Sequence, residues 1–115
     1  MKKIALSVVL LVLSVLTTAQ AADVANGREL ATKKYACVSC HGENLNKPID
    51  PSYPKLAGQY PDYIAQALVA YQRTNATSGR ANAIMASQVK PLTRKEIADI
   101  AAFIGSLQGD LVSHR

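Results

Sequence analysis

The short sequence CVSCH, residues 37–41, contains both cysteines of this 115-residue chain and one of its two histidines. Few kinds of chemistry need two thiols at that spacing with an imidazole directly after the second. The pair could form a short-range disulfide, act as a thioredoxin-like redox pair, contribute to a zinc site or attach a haem covalently. Whichever of these four uses applies constrains the fold, because each needs very different surroundings.

Three of the four interpretations fit the rest of the sequence poorly. A disulfide leaves His41 unexplained, and a thioredoxin-like pair follows a strand, whereas no period-2 apolar pattern appears after residue 21. Zinc needs four ligands, and the other histidine, His114, is near the chain end. Covalent haem uses all three residues, since Cys37 and Cys40 can reach two vinyl groups and His41 can follow as the proximal iron ligand. One haem c is therefore predicted, with the disulfide as the main alternative.

The N-terminus has the layout of a secretory signal peptide. Two lysines precede an apolar run from Ile4 to Leu16, and an A-x-A cleavage site ends at Ala21. The run is shorter than the ~20 residues of a membrane span, and an uncleaved N-terminal anchor is the alternative. We predict a signal peptide over residues 1–21 and a single domain over 22–115.

Composition supports a small domain built around a large group. The formal charge of +5 falls to +3 without the two N-terminal lysines, and the basic residues are scattered, which argues against nucleic-acid binding. Phe103 is the one phenylalanine, and there is no tryptophan. A domain so small and so poor in large rings is marginal on hydrophobic burial alone, so a prosthetic group would complete its core.

Apolar periodicity predicts an all-α domain with two long irregular segments. Asp23 can cap the first helix, Pro61 suits the first turn of the second, and Thr93 with Glu96 has the spacing of a capping box before the third. Long irregular segments in a compact domain usually have a function or wrap something. The predicted helices cover residues 23–36, 61–73 and 93–109.

A closed haem iron needs a second axial ligand opposite His41. After residue 21 the candidates are Met85, His114, a lysine and the terminal amine. Met85 lies in the second irregular segment, which could cover the other face of the haem, while the alternative is that it only fills core space. Paired His and Met ligands raise the reduction potential and leave no open iron position, which suits electron transfer.

Beyond these residues, the chain resembles the small soluble class I c-type cytochromes of bacteria, in particular single-haem relatives of the dihaem c-type cytochromes. The resemblance rests on a first helix with Gly27, then CVSCHG, YPKLAGQ, the segment around Met85 and PLTRKEIADIAAFIGSLQ. It implies the cytochrome c fold, with three main helices wrapped around one covalently bound haem and long haem-covering loops. It also implies thioether bonds at Cys37 and Cys40, with His41 and Met85 as axial ligands.

The resemblance implies roles for further residues. The carbonyl of Pro54 would accept the proximal imidazole proton, and Leu56 would pack on the haem. In the family, a glycine of the first helix packs against an aromatic ring of the last, and here these are Gly27 and Phe103. Arg80 could pair with a haem propionate, although an ordinary exposed arginine is an equally good interpretation.

The implied function is that of a periplasmic electron carrier and not an enzyme. It would be a monomer that exchanges single electrons with a redox protein donor and acceptor (an oxidase, reductase or dehydrogenase), without stable membrane insertion after signal cleavage. The alternative is a haem-containing subunit or sensor in which a small ligand displaces Met85. Basic residues near the haem-binding segments could rim a docking surface for acidic partners: Lys33, Lys34, Lys47, Lys55 and Lys90.

Overall fold

The structure, a computed structural model, describes residues 20–73 and 79–110. All regular elements within those ranges are helical, which confirms the all-α prediction. Nearly all of the predicted signal peptide, residues 1–19, lies outside the described residues. None of the described helices is both long and apolar enough to cross a membrane. The elements are α1 (Val24–Glu29) with a π-helical continuation (Leu30–Lys34), α2 (Val38–His41), α3 (Pro61–Gln72), α4 (Ala83–Val89) and α5 (Arg94–Ser106).

The three predicted helices are present, with changes at their ends. The first helix changes from α-helical to π-helical at Leu30. Tyr35 N donates to Leu30 O, which lies five residues earlier, at 2.8 Å. Helix α3 begins at Pro61 as predicted. Helix α5 begins with the predicted capping box, in which Thr93 and Glu96 each accept a hydrogen bond from the other's backbone N–H. It ends at Ser106, three residues before the predicted end.

The segment around Met85 is not irregular, and the prediction that it would be is wrong. Asn82 has extended backbone, and its side chain accepts a hydrogen bond from Met85 N at 2.9 Å, so it caps helix α4. Asparagine is among the best N-cap residues, and the sequence AIMASQV after residue 82 contains neither Gly nor Pro. Met85 is therefore the third residue of a short helix.

The hydrophobic core lies along one face of α5, and α1 and α3 both pack against that helix. The face follows the predicted stripe, since Ile97, Ile100, Ala101 and Ile104 are at most 2% exposed. Two leucines that belong to no helix, Leu45 and Leu92, are buried with it. The other core residues are Leu30, Ala31, Ala57, Ile64, Val89 and Phe103.

Helix α1 crosses α5 at Gly27 with almost no space between them. A Cβ on Gly27 would lie 1.9 Å from Asp99 O and 2.9 Å from Phe103 Cβ, so the expected packing of Gly27 against Phe103 is observed. The fully buried Asp99 carboxylate accepts hydrogen bonds from Asp23 N, Asn26 Nδ2 and Lys95 Nζ. Burial acts to raise the pKa of Asp99, but these donors outweigh it and hold the pKa below its ordinary value.

We expect Gly27→Ala to destabilise the domain by about 2 kcal/mol, because the added methyl group must push α1 away from the α5 backbone. Urea unfolding followed by circular dichroism measures the loss. Val24→Ala, at an exposed position of the same helix, is the control and should change stability far less. An unchanged unfolding midpoint for Gly27→Ala would contradict the close crossing.

Glu96 joins the start of α5 to the end of the π-helical turn. Its carboxylate lies 2.6 Å from Lys34 Nζ and accepts a hydrogen bond from the hydroxyl of Tyr35 at 3.0 Å. Its side chain is only 14% exposed. The hydrogen bond from Lys34, followed by that from Thr93 N, lowers the pKa of Glu96 from 4.5 to about 2.

Because the pKa of Glu96 is lowered on folding, its charge stabilises the fold above pH 4.5, and this contribution is lost as the pH falls towards 2. We expect Glu96→Gln to cost about 1 kcal/mol near pH 7, and the difference from the parent to shrink steadily below pH 5. Urea unfolding between pH 3 and 7 measures the difference in stability. Glu43→Gln, at an exposed position, is the control. A difference that does not vary with pH would contradict this assignment.

Candidate functional site

The CVSCH sequence forms the single turn of α2 and the residue before it. Cys37 is the N-cap, and its carbonyl accepts the hydrogen bond from His41 N at 3.0 Å. Residues three apart in a helical turn lie on one side of it, so Cys37 and Cys40 share a side. Both thiols are half-buried and unbonded to each other, and burial raises the pKa of the Cys37 thiol. The two sulfur atoms are thus free to react with one edge of a planar group.

Gly42 lets the chain turn away immediately after His41. Its φ of 92° lies in the left-handed region, and a Cβ there would come within 2.1 Å of Lys47 O. Any other residue would be strained by both the dihedral angle and the contact. The glycine that follows the histidine in the CVSCHG motif therefore has a structural cause.

The imidazole of His41 is buried and oriented by a backbone carbonyl. The residue is 6% exposed, and its Nδ1 lies 2.9 Å from Pro54 O. A carbonyl can only accept, so Nδ1 carries a proton, and in this tautomer of the neutral ring the lone pair is on Nε2. An imidazole held in this tautomer through its other nitrogen is what a metal-ligating histidine requires. The contact between His41 and Pro54 is the one that the family resemblance implies.

The loop that carries Pro54 is fixed to the core through Leu45. The carbonyl of Leu45 accepts hydrogen bonds from Leu56 N and Ala57 N, and Gly58 N donates to Ile104 O of α5. Leu45 is fully buried despite a positive φ of 55°, and Leu56 is partly buried against the core. The burial of Leu45 is not predicted by the sequence pattern, because one apolar residue among polar ones has no periodicity.

The other predicted site residues are distributed as follows. Met85 is half-buried and packs against the core from α4. Arg80 is exposed, and its Nη2 donates to the Tyr63 hydroxyl at 3.0 Å. His114 lies outside the described residues. Among the lysines, three form ion pairs, namely Lys33 with Glu29, Lys34 with Glu96 and Lys55 with Asp110, while Lys47 and Lys90 are exposed.

The chemistry of this donor set fits haem c. Two thiols on one side of a turn can each form a thioether, and the Nε2 lone pair of His41 is available next to them. Zinc is not supported, since residues 20–73 and 79–110 contain no group of three or more His, Cys, Asp or Glu side chains that could hold a metal ion. A thioredoxin-like arrangement is not supported either, because these same ranges contain no strand.

Comparison with known proteins identifies relatives over most of the chain. The family model for Cytochrome c matches residues 24–108. Cytochrome c4 of Thiocapsa roseopersicina is 40% identical over 67 residues, which are 58% of this chain and 32% of that protein. Cytochrome c-554(548) of Halomonas halodenitrificans is 36% identical over 86 residues, which are 75% of this chain and 98% of that protein.

A solved structure has the same fold. Reduced recombinant cytochrome c4 from Pseudomonas stutzeri superposes with a TM-score of 0.66 at 30% identity, over 78% of this chain and 48% of that one. The chain thus spans about a third of the Thiocapsa protein and about half of the solved structure, but nearly the whole of the Halomonas protein. These matches support the cytochrome c fold that the sequence predicts.

The double variant Cys37→Ala/Cys40→Ala should lose covalent haem, because no thiol remains to form a thioether. We also expect little stable fold, since the helices lose the group they pack around. Acid–acetone extraction followed by an optical spectrum of the polypeptide tests attachment, and circular dichroism tests folding. Ser39→Ala, between the two cysteines, is the control that should keep its colour. Colour retained by the double variant after extraction would refute the attachment sites.

Proposed function

We propose that this chain, which belongs to the cytochrome c family, carries single electrons between redox proteins. Haem c, held by thioether bonds, is the cofactor of this family. When bound, it supplies one-electron chemistry, because its iron alternates between the ferric and ferrous states. The observation that carries the proposal is the buried His41 next to two unbonded cysteines, with its Nδ1 engaged by Pro54 O.

In this proposal Cys37 and Cys40 form the two thioether bonds and His41 is the proximal axial ligand. The hydrogen bond from Nδ1–H to Pro54 O sets the direction of the ring and makes Nε2 more basic. Because Pro54 belongs to a loop fixed by Leu45 and Ile104, the imidazole has little freedom to rotate. Leu56, which is partly buried against the core, would pack on the haem.

Met85 is the proposed axial ligand on the opposite side. Its thioether is a soft ligand that favours ferrous iron and so raises the reduction potential. With both axial positions filled, no position remains where a substrate could bind the iron, which favours an electron carrier over an enzyme. Its place on a helix is also compatible with core filling, so the two roles need a test that separates them.

A periplasmic location and redox protein partners complete the proposal. The signal-peptide pattern of residues 1–21 supports export. The exposed Lys47 and Lys90 are available for acidic partners, whereas Lys34 and Lys55 already pair with carboxylates of this chain. Any electrostatic steering of partners should therefore depend more on Lys47 and Lys90 than on Lys34 and Lys55.

Two substitutions of Met85 separate iron ligation from core filling. Met85→Ala removes the sulfur and the volume, while Met85→Leu removes the sulfur and keeps nearly all of the volume. If Met85 is a ligand, both variants should keep their haem, lower the reduction potential by on the order of 0.1 V or more, and bind carbon monoxide readily when reduced. The parent protein should resist carbon monoxide.

The measurements are a redox titration and carbon monoxide binding followed by absorbance. A Met85→Leu variant that matches the parent in both would assign Met85 to the core and remove the ligand assignment. A parent protein that itself binds carbon monoxide readily would favour the alternative function, a haem-containing subunit or sensor in which a small ligand takes the place of Met85.

A further inference from the structure

Helix α4, which carries Met85, is attached to α3 at both ends. At its C-terminal end, Gln72 Nε2 of α3 donates to the carbonyl of Val89, the last residue of α4, and to Leu92 O, each at 2.8 Å. Before its first residue, Arg80 N donates to Ala70 O at 2.9 Å. A helix of seven residues is too short to be stable alone, since isolated helices below ~12–15 residues are marginal in water. Its position therefore depends on these attachments, together with the burial of Val89 and the packing of Met85 against the core.

The attachment at Arg80 includes the side chain as well as the backbone. The guanidinium carbon lies 5.5 Å from the ring centroid of Tyr63 and 5.4 Å from that of Tyr71, and Nη2 donates to the Tyr63 hydroxyl at 3.0 Å. The two tyrosines are eight residues apart, which is about two turns of α3, so they share one face of that helix. One cation thus contacts both rings within the distance at which cation–π attraction acts.

A short chain of contacts connects Arg80 to Met85. Asn82 N donates to Arg80 O at 3.2 Å, and Asn82 Oδ1 accepts the hydrogen bond from Met85 N at 2.9 Å. A shift of Arg80 away from α3 would therefore move the N-cap of α4 and, with it, the backbone of Met85. This movement of Met85 requires no direct contact between Arg80 and the Met85 side chain.

We infer that Arg80, held between Tyr63 and Tyr71, is a positioning residue that keeps Met85 in place. This inference rests on the proposed function, in which Met85 is the distal iron ligand. Arg80 does not touch the iron in this scheme. It lowers the population of states in which α4 has moved away from α3, and those are the states in which the thioether is off the iron.

The test is the rate at which carbon monoxide binds to the reduced protein with its haem attached, because the thioether must leave before this probe can bind. Arg80→Ala and Tyr63→Leu should each raise the rate roughly tenfold or more, since both remove the hydrogen bond, and the first removes two cation–π contacts and the second one. Arg80→Lys should recover part of the loss, because an ammonium group can lie over the same rings. Arg94→Ala is the matched control, because it removes the same charge from another exposed arginine. The Arg94 side chain has no hydrogen bond or ion pair with the described residues.

The double variant Arg80→Ala/Tyr63→Leu separates this inference from a direct bond between Arg80 and a haem propionate. If the two residues act together, the double variant should bind carbon monoxide no faster than the faster single variant. A parent-like rate for Tyr63→Leu, or rates that multiply in the double variant, would overturn the positioning role.

Failure of the positioning role differs from failure of the ligand assignment. If the parent resists carbon monoxide, Met85→Leu binds it, and Arg80→Ala and Tyr63→Leu both behave as the parent, only the role of Arg80 is overturned. If the parent and Met85→Leu bind it at the same rate, the ligand assignment and the inference built on it both fail. Thermal unfolding of each variant confirms that rates are compared between folded proteins, and Tyr63→Leu, an exposed position, keeps the test decisive if Arg80→Ala does not fold.

Discussion

The close crossing of α1 over α5 at Gly27 is the contact on which the rest of the arrangement depends. It brings a backbone carbonyl of α5 against the glycine, and the same meeting point contains a buried carboxylate, Asp99, that accepts hydrogen bonds from the start of α1. At the far end of the first helix, Glu96 links α5 to Lys34 and Tyr35. The first helix is thus fixed to α5 near both of its own ends, and the chain that leaves it enters α2 at a defined place.

The position of His41 follows from this pair of helices in a few steps. The π-helical turn ends at Tyr35, the chain enters the turn of α2 at Cys37, and Gly42 sends it away directly after His41. The loop then returns over the same region, where the buried Leu45 accepts two backbone hydrogen bonds and Ile104 of α5 accepts another. Pro54 lies within this fixed loop, so the carbonyl that orients His41 is held by the core and not by local sequence alone.

Sequence reasoning predicted the parts whose cause is local and missed those whose cause is tertiary. Three predicted features depend only on residues close together in the sequence, and all three are present. They are the capping box at Thr93, the start of α3 at its proline and the apolar stripe of α5. The burial of Leu45 and Asp99 depends on partners far along the chain, for which no periodicity gives a signal. The wrong prediction of an irregular segment at Met85 has a different cause. The signal for helix α4, Asn82 as its N-cap, is local and present in the sequence.

The two sides of the candidate site are held with unequal strength, and this inequality bears on function. His41 is buried and tied to a loop that is bonded to α5, so moving it would disturb the core. Met85 is half-buried on a helix of seven residues that has one buried residue, Val89, and hydrogen bonds to α3 through one glutamine and one exposed arginine. Local opening takes place where few buried contacts must be broken. In the proposed function, any exchange of an axial ligand would therefore start on the Met85 side, and the contact of Arg80 with its two tyrosines would oppose that exchange.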